Sequence, residues 1–350
     1  MAFRLQVQES FLKAIPRIAR ERIDRVVESL RERPKASGGA IHEARKNLKS
    51  LRALLRLSRG SINDEVRFRE NFLFRDAGRS LSAIRDPQAL LEALEYFNQR
   101  HRGNSEASTP KREAGLAFIE KLRSEIERNL VDGVPPGDLK KLLRELRDAR
   151  RRTAQWCAGV LVKQENEWEV FVGTGLRRTY RNAKRLVWQF EVIDHLIADD
   201  KTWHELRKCA KALGYQLRLL KPIWPGMMSV LVDEIDQLTD HLGDANDISI
   251  LREKIMREPY DPLGTQESEE IRRSLLQSLD RRKQRLHSEA FHLARFVYAE
   301  TPRQFERRLA GYWRIWRSQN QVKVLRRPVE IDGQTGRQQG RQEILASSPS

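Results

Sequence analysis

Apolar residues recur every three or four positions along most of the chain, and runs of Val, Ile and Thr alternating with polar residues are almost absent before residue 320. That spacing lays an apolar stripe along one face of a helix, so the pattern predicts an all-α fold. Gly, Pro, Asn and Asp clusters mark breaks at 33–39, 60–63, 86–87, 100–110, 132–137, 173–175, 222–226, 259–265 and 301–302. The pieces between them are mostly about 15 to 30 residues long, a size suited to a helical bundle. A tail over 319–350 ends the chain. From Val322 it is rich in Gln, Gly, Arg and Ser without an apolar stripe, and it is expected to be mostly disordered.

Two of the amphipathic segments are copies of one another. Residues 42–57 (HEARKNLKSLRALLRL) realign without a gap on 204–219 (HELRKCAKALGYQLRL), and nine of the sixteen positions are identical. The match resumes where 80–86 (SLSAIRD) stands opposite 241–247 (HLGDAND), at nearly the same separation. The chain is therefore read as two related helical halves. Asp86, followed by Pro87, has the form of a helix N-cap with proline at the first position, and Asp247 would cap the equivalent helix.

On a helix at about 100° per residue, His42, Arg45, Lys46, Lys49, Arg52 and Arg56 fall within one arc of roughly 120°. Leu48, Leu51, Leu54 and Leu55 fall opposite. The second copy repeats the division, with His204, Arg207, Lys208, Lys211 and Arg218 against Leu206, Leu213 and Leu217. Each stripe is about 20 Å long at ~1.5 Å per residue, which suits a repeating anion better than one phosphate. A solvated helix face usually interleaves Glu at i,i+4, yet no acidic residue stands between Arg45 and Arg56 or between Arg207 and Arg218. Stacked like charges destabilise a helix unless an anion sits on them. The histidine heading each stripe can donate from a fixed ring position and take up a proton beside a polyanion.

Composition points the same way. Lys and Arg number 66 against 49 Asp and Glu, a formal charge of +17, so the expected partner is an anion: nucleic acid, an anionic membrane surface, or a phosphate-rich polymer or small molecule. At 39% apolar and 33% charged residues, with no apolar run near the ~20 that span a bilayer, a membrane-crossing segment is not expected. The first nine residues, MAFRLQVQE, have no apolar core or cleavage site of a signal peptide, and a cytoplasmic protein is expected.

Arg177, Arg181, Lys184 and Arg185 form a third basic face at helical spacing, for which ligand-binding and solvated roles weigh evenly. The counterpart at 17–25 alternates with Glu21 and Asp24. No catalytic residue, metal site or cofactor is expected. His42-Glu43 and His204-Glu205 open like a zinc-protease motif, but Lys46 and Lys208 occupy the second-histidine positions. The 244–249 stretch lacks the glycine of a calcium loop, and Ile255 stands where its bidentate Glu is needed. Cys157 and Cys209 read as small core residues, and Trp156, Trp168, Trp188, Phe190, Trp313 and Trp316 as packing anchors.

The twin His-Glu-x-Arg-Lys-x-x-Lys-x-Leu motifs with their Leu-Arg-Leu endings, the LGDAND stretch at 242–247 and the TPRQF…W segment at 301–313 resemble the CHAD family, the conserved histidine alpha-helical domain. The likeness covers about residues 1–318, split near 172. It implies two pseudo-symmetric antiparallel helical bundles facing one another across a basic surface that binds inorganic polyphosphate, at polyphosphate granules in the cytoplasm. By resemblance the histidines are His42 and His204, the basic ligands are Arg45, Lys46, Lys49, Arg207, Lys208 and Lys211, and Arg56 and Arg218 extend the face. Asn246 stands where the family often has Arg, and Gly214 replaces the residue opposite Arg52, so the second stripe is expected to hold fewer phosphates. The Glu-x-Glu-x-Lys signature of the triphosphate-tunnel enzymes that accompany many relatives is missing; the nearest string, 267–271, lacks the lysine. The expectation is a non-enzymatic polyphosphate binder. Its alternatives are a nucleic-acid-binding protein and a non-catalytic partner of a polyphosphate- or triphosphate-metabolising enzyme.

Overall fold

The computed structural model describes residues 3–7, 9–31, 38–82, 87, 90–92, 94–95, 110–128, 135–195, 197–257 and 266–325. Among them every regular element is a helix, as the apolar spacing requires. Helix α1 (Phe11–Arg31) buries Ala14, Ile15, Ile18, Ala19, Ile23, Val26 and Val27 along one face. α2 (Gly38–Leu57) buries Ile41, Ala44, Leu48, Leu51, Leu54 and Leu55. α3 (Asp64–Ser80) begins at Asn63, whose side chain accepts from the Glu65 amide at 2.8 Å. α4 (Pro110–Arg128) and α5 (Pro136–Arg152) follow, each opening on proline.

A turn of π-helix over Glu169–Gly173 runs into α6 (Thr174–Ile193). α7 (Asp200–Leu220) is capped by Asp199, which accepts from the Thr202 amide at 2.8 Å. α8 (Pro225–Arg257), α9 (Gln266–Val297) and α10 (Pro302–Leu325) complete the chain. None of these helices is long and apolar enough to cross a membrane.

α1, α2, α3 and α5 pack as one group, and α6 to α9 with α10 as another. The groups share one hydrophobic core, because α2 packs directly on α6 and α7. Two features allow that close seam. A Cβ at Gly175 would run into the carbonyl of Leu57, so only glycine lets α6 approach the end of α2. Buried Gln216 of α7 then donates to the Ala53 carbonyl at 3.4 Å and to Thr179 Oγ1 at 3.0 Å, tying three helices together beneath their polar faces. A smaller core of Ile119, Leu122 and Ile126 with Leu251, Ile255 and Leu279 fixes α4 on α8 and α9.

Several expectations need correction. No break exists at 173–175, where the chain stays helical from Glu169 onward. An unforeseen break follows Ile193, where Asp194 takes a positive φ of 72° and Asp199 caps the next helix. Asp247 is no cap: it lies deep inside α8, a helix of 33 residues. Asp86 lies outside the described residues. Trp156, Trp168, Phe190 and Trp313 are buried and Trp316 packs on the core, but Trp188 is 60% exposed. Cys157 is buried and Cys209 partly so. α10 runs on to Leu325, past the expected boundary at 318; residues 326–350 lie outside the described residues.

Candidate functional site

The two copies of the repeated motif form α2 and α7, and the seam sets them side by side in opposite directions. Lys49 lies near Lys211, Arg56 near Glu205 and Cys209, and Tyr215 near Glu43. With the leucines of both helices drawn into the core, their basic faces are left on one side. Between them, with α3 as a third wall, runs a groove of about 630 Å³. α2 contributes Arg45, Lys49, Arg52 and Arg56 to its lining; α7 contributes His204, Arg207, Lys208 and Lys211. α3 adds Arg75 and Arg79. Among the described residues, nine Arg and Lys side chains thus meet over one carboxylate, Glu205, which Lys208 Nζ reaches at 2.7 Å.

The free protein holds this charge under strain. Burial and repulsion from Arg56, Arg75 and Arg79 pull the Arg52 guanidinium down to about 10, with Asp76 the opposing carboxylate. Its Nε is held by Asn71 Oδ1 at 3.1 Å. Burial, then Arg207 and Lys49, bring the Lys211 ammonium down to about 7, against a smaller pull from Asp240 and Asp247. Arg56 and Arg207 are lowered chiefly by burial, and the buried Nε of Arg207 has no acceptor among the described residues. His204, whose Nδ1 is 3.2 Å from Asn246 Oδ1, is held below its usual range by desolvation and the Lys208 ammonium. A negative charge placed in the groove would oppose each of these downward shifts.

Not every residue singled out in the sequence lines the groove. His42 is exposed on the N-terminal half of α2 and is absent from the lining. Lys46 is exposed beside Glu43 at 3.6 Å, the same i,i+3 pairing that joins Lys208 to Glu205. Arg218 is bound to Asp236 in a smaller adjoining cavity of about 270 Å³ between α7 and α8, which shares Lys211 and Tyr215 with the groove.

The 177–185 cluster divides differently. Arg177 is paired with Glu169 and, at 3.5 Å, with Glu306 of α10. Lys184 Nζ donates to the Tyr298 and Ala299 carbonyls at 2.9 Å, closing the C-terminal end of α9. Arg181 and Arg185 are exposed on α6, outside the groove lining, with Arg185 near Cys209. Arg177 and Lys184 thus hold helices together.

Sequence reasoning missed Arg75 and Arg79. In α3 they flank Asp76, at 2.8 and 3.8 Å, so the segment reads as a mixed, solvated face. The signal that could have found them is the register of the repeat, which continues backward from Ser80.

A family model described as the CHAD domain matches residues 17–255. No curated protein matches the chain.

Proposed function

The chain belongs to the CHAD family, and from that premise we propose that it binds inorganic polyphosphate along the groove between α2, α3 and α7. A polyphosphate-related role comes with the family; the single observation that carries the finer reading is the meeting of nine cations from three helices over one already paired carboxylate. Polyphosphate presents non-bridging oxygens at short intervals along a flexible chain. Arginine and lysine bind such oxygens through charge-assisted hydrogen bonds, and the fork of Arg can span two of them. Lys211, lowered to about 7, regains its full charge when the anion arrives, and the guanidiniums, charged throughout, have their mutual repulsion offset.

The role we propose is binding without catalysis, serving to bring the protein to polyphosphate granules in the cytoplasm. Supporting this, the one carboxylate of the lining among the described residues is engaged by Lys208, whereas phosphoryl transfer calls for carboxylates free to hold Mg²⁺. Nucleic acid is the competing polyanion, but the aromatic side chains at the groove, Phe74 and Tyr215, are buried and half-buried rather than presented as stacking platforms.

The test is titration with long-chain polyphosphate in competition with duplex DNA and single-stranded RNA, at about 0.15 M salt so that weak nonspecific attraction is partly screened. Tight binding that excess nucleic acid does not displace is the expected result. Equal or stronger binding to nucleic acid overturns the proposal.

A further inference from the structure

The groove is not equally basic along its length. Carried back from the Ser80–His241 match, the register of the repeat sets Arg75 opposite Asp236 and Arg79 opposite Asp240. Within the motif itself Arg52 stands opposite Gly214 and Arg56 opposite Arg218. The structure gives both sets a place. Arg52, Arg56, Arg75 and Arg79 cluster beside the C-terminal half of α2, with Asp76 near Arg52 and Glu205, already paired with Lys208, near Arg56. Gly214, Arg218, Asp236 and Asp240 line the smaller cavity beside the C-terminal half of α7. Because α2 and α7 run in opposite directions, the clusters lie toward opposite ends of their crossing. One end gathers four guanidiniums, of which Arg75 is paired with Asp76; at the other a single guanidinium is paired with Asp236 and Asp240 stands nearby.

We infer that the Arg52–Arg56–Arg75–Arg79 cluster is an end-binding subsite that captures the terminal phosphate of a polyphosphate chain and so fixes the direction in which the chain lies in the groove. The inference rests on the polyphosphate reading above. Its chemistry follows from the difference between chain positions. An internal phosphate has one ionisable oxygen and carries one charge. A terminal phosphate resembles a monoester, with a second pKa near 6 and about −1.5 to −2 charge at pH 7. It also exposes one more terminal oxygen for a hydrogen bond. Four guanidiniums around one point match a doubly charged group, whereas the lysines and spaced arginines along the rest of α2 and α7 match singly charged links. Arg52 is fixed by Asn71 and Arg75 lies 4.5 Å from the Phe72 ring centroid, so part of the cluster is oriented before any ligand arrives.

Linear tripolyphosphate has two termini; cyclic trimetaphosphate has none. Full-length wild-type protein and the Arg75→Gln/Arg79→Gln double variant would each be titrated with both, with circular dichroism and thermal melting to confirm folding. A second double variant, Arg45→Gln/Lys49→Gln, removes equal charge elsewhere in the groove. The expected result is that Arg75→Gln/Arg79→Gln lowers the preference for linear over cyclic ligand by about tenfold, the loss of one or two charge-assisted contacts, while Arg45→Gln/Lys49→Gln weakens both ligands by similar factors. An unchanged linear-over-cyclic ratio in Arg75→Gln/Arg79→Gln overturns the inference, as does a wild-type protein that binds long chains but not tripolyphosphate. Failure of the polyphosphate reading itself would look different: the wild type would bind no long chain either.

Discussion

The helix pairs α2–α3 and α7–α8 carry the same motif on their first members and opposite charges on their second. Beside α2, Arg75 and Arg79 of α3 add to the positive wall. Beside α7, the carboxylates of α8 oppose it: Asp236 binds Arg218, Asp240 and Asp247 face Arg207 and Lys211, and Asp244 faces Arg207. Crowding among these carboxylates has its own cost, since burial and the neighbouring Asp247 and Asp240 push the Asp244 carboxyl above its usual range. Two copies of one basic stripe therefore differ in available charge because of what flanks them. A stripe's capacity for anions is set by its neighbours as much as by its own residues.

The sharpest way to break this comparison is to remove three charges from each stripe in turn. Arg45→Gln/Lys49→Gln/Arg52→Gln takes three cations of the α2 lining, among them Arg52, whose charged neighbours are chiefly Arg56, Arg75 and Arg79. Arg207→Gln/Lys208→Gln/Lys211→Gln takes cations that already face Glu205 and the α8 carboxylates. Affinity for long-chain polyphosphate should fall about 100-fold in the first variant and about tenfold in the second, with a steeper loss of salt dependence in the first. Equal losses in a titration across salt concentrations would show that the flanking aspartates do not discount the second stripe.

The apolar spacing carried the helices, and the duplication carried α2 and α7 as a pair of amphipathic elements. Leu48, Leu51, Leu206 and Leu213 are buried where a 3.6-residue period puts them. What spacing does not encode is who meets whom. Arg177 and Lys184 lie on a basic face of α6 at the right intervals, yet Glu306 and the carbonyls of Tyr298 and Ala299, more than 100 residues away, claim them. Asp247 reads as a cap from its likeness to Asp86, but no proline or glycine after Gly243 interrupts the segment before Arg257, and α8 continues through it. The break between α6 and α7 was hidden because it shows one residue with positive φ, Asp194, and one capping aspartate, Asp199, without the glycine or proline that usually marks such a place. Arg75 and Arg79 were hidden by a local neighbour, Asp76, that shares its charge between them without removing theirs from the groove.

Proton linkage sharpens the comparison from another side. In the free protein Lys211 loses its proton as pH rises through about 7, because burial, Arg207 and Lys49 disfavour the ammonium. A bound polyanion restores it toward the ordinary lysine value of about 10.4, so above pH 7 the complex holds a proton that the free protein lacks. Affinity should therefore fall as pH rises, by about tenfold between pH 6.5 and 8.5. His204, also depressed, adds to the trend at the acidic end. The folded state alone should behave oppositely: a lysine with a lowered folded pKa costs stability below its unfolded pKa, and the melting temperature should rise as pH increases from 7 toward 10. Lys211→Met should flatten most of both dependences. Calorimetry in buffers of different ionisation enthalpy reads the proton uptake directly, and no uptake at pH 8 would remove Lys211 from this role.

The smallest expected effect has opposite signs for binding and for folding. Asp236→Asn/Asp240→Asn removes the negative flank of α7, frees the Arg218 guanidinium from its ion pair and lets the second end of the groove act more like the first. Long-chain affinity should rise about threefold, as expected for undoing a partly solvated pairing. The Arg218–Asp236 pair is roughly one-third exposed on both sides, so its loss should cost only about 0.5 to 1 kcal/mol, read as a small drop in melting temperature. Asp240 also supports the charge of Lys211, so this variant should move the pH dependence of binding to lower pH rather than abolish it. A gain in affinity paired with a loss in melting temperature would mean that the α8 carboxylates stabilise the unliganded fold at the expense of the site. If both quantities fell together, the carboxylates would instead be shaping the cationic side chains into their binding positions, and the contrast between the two flanks would be one of geometry rather than of charge.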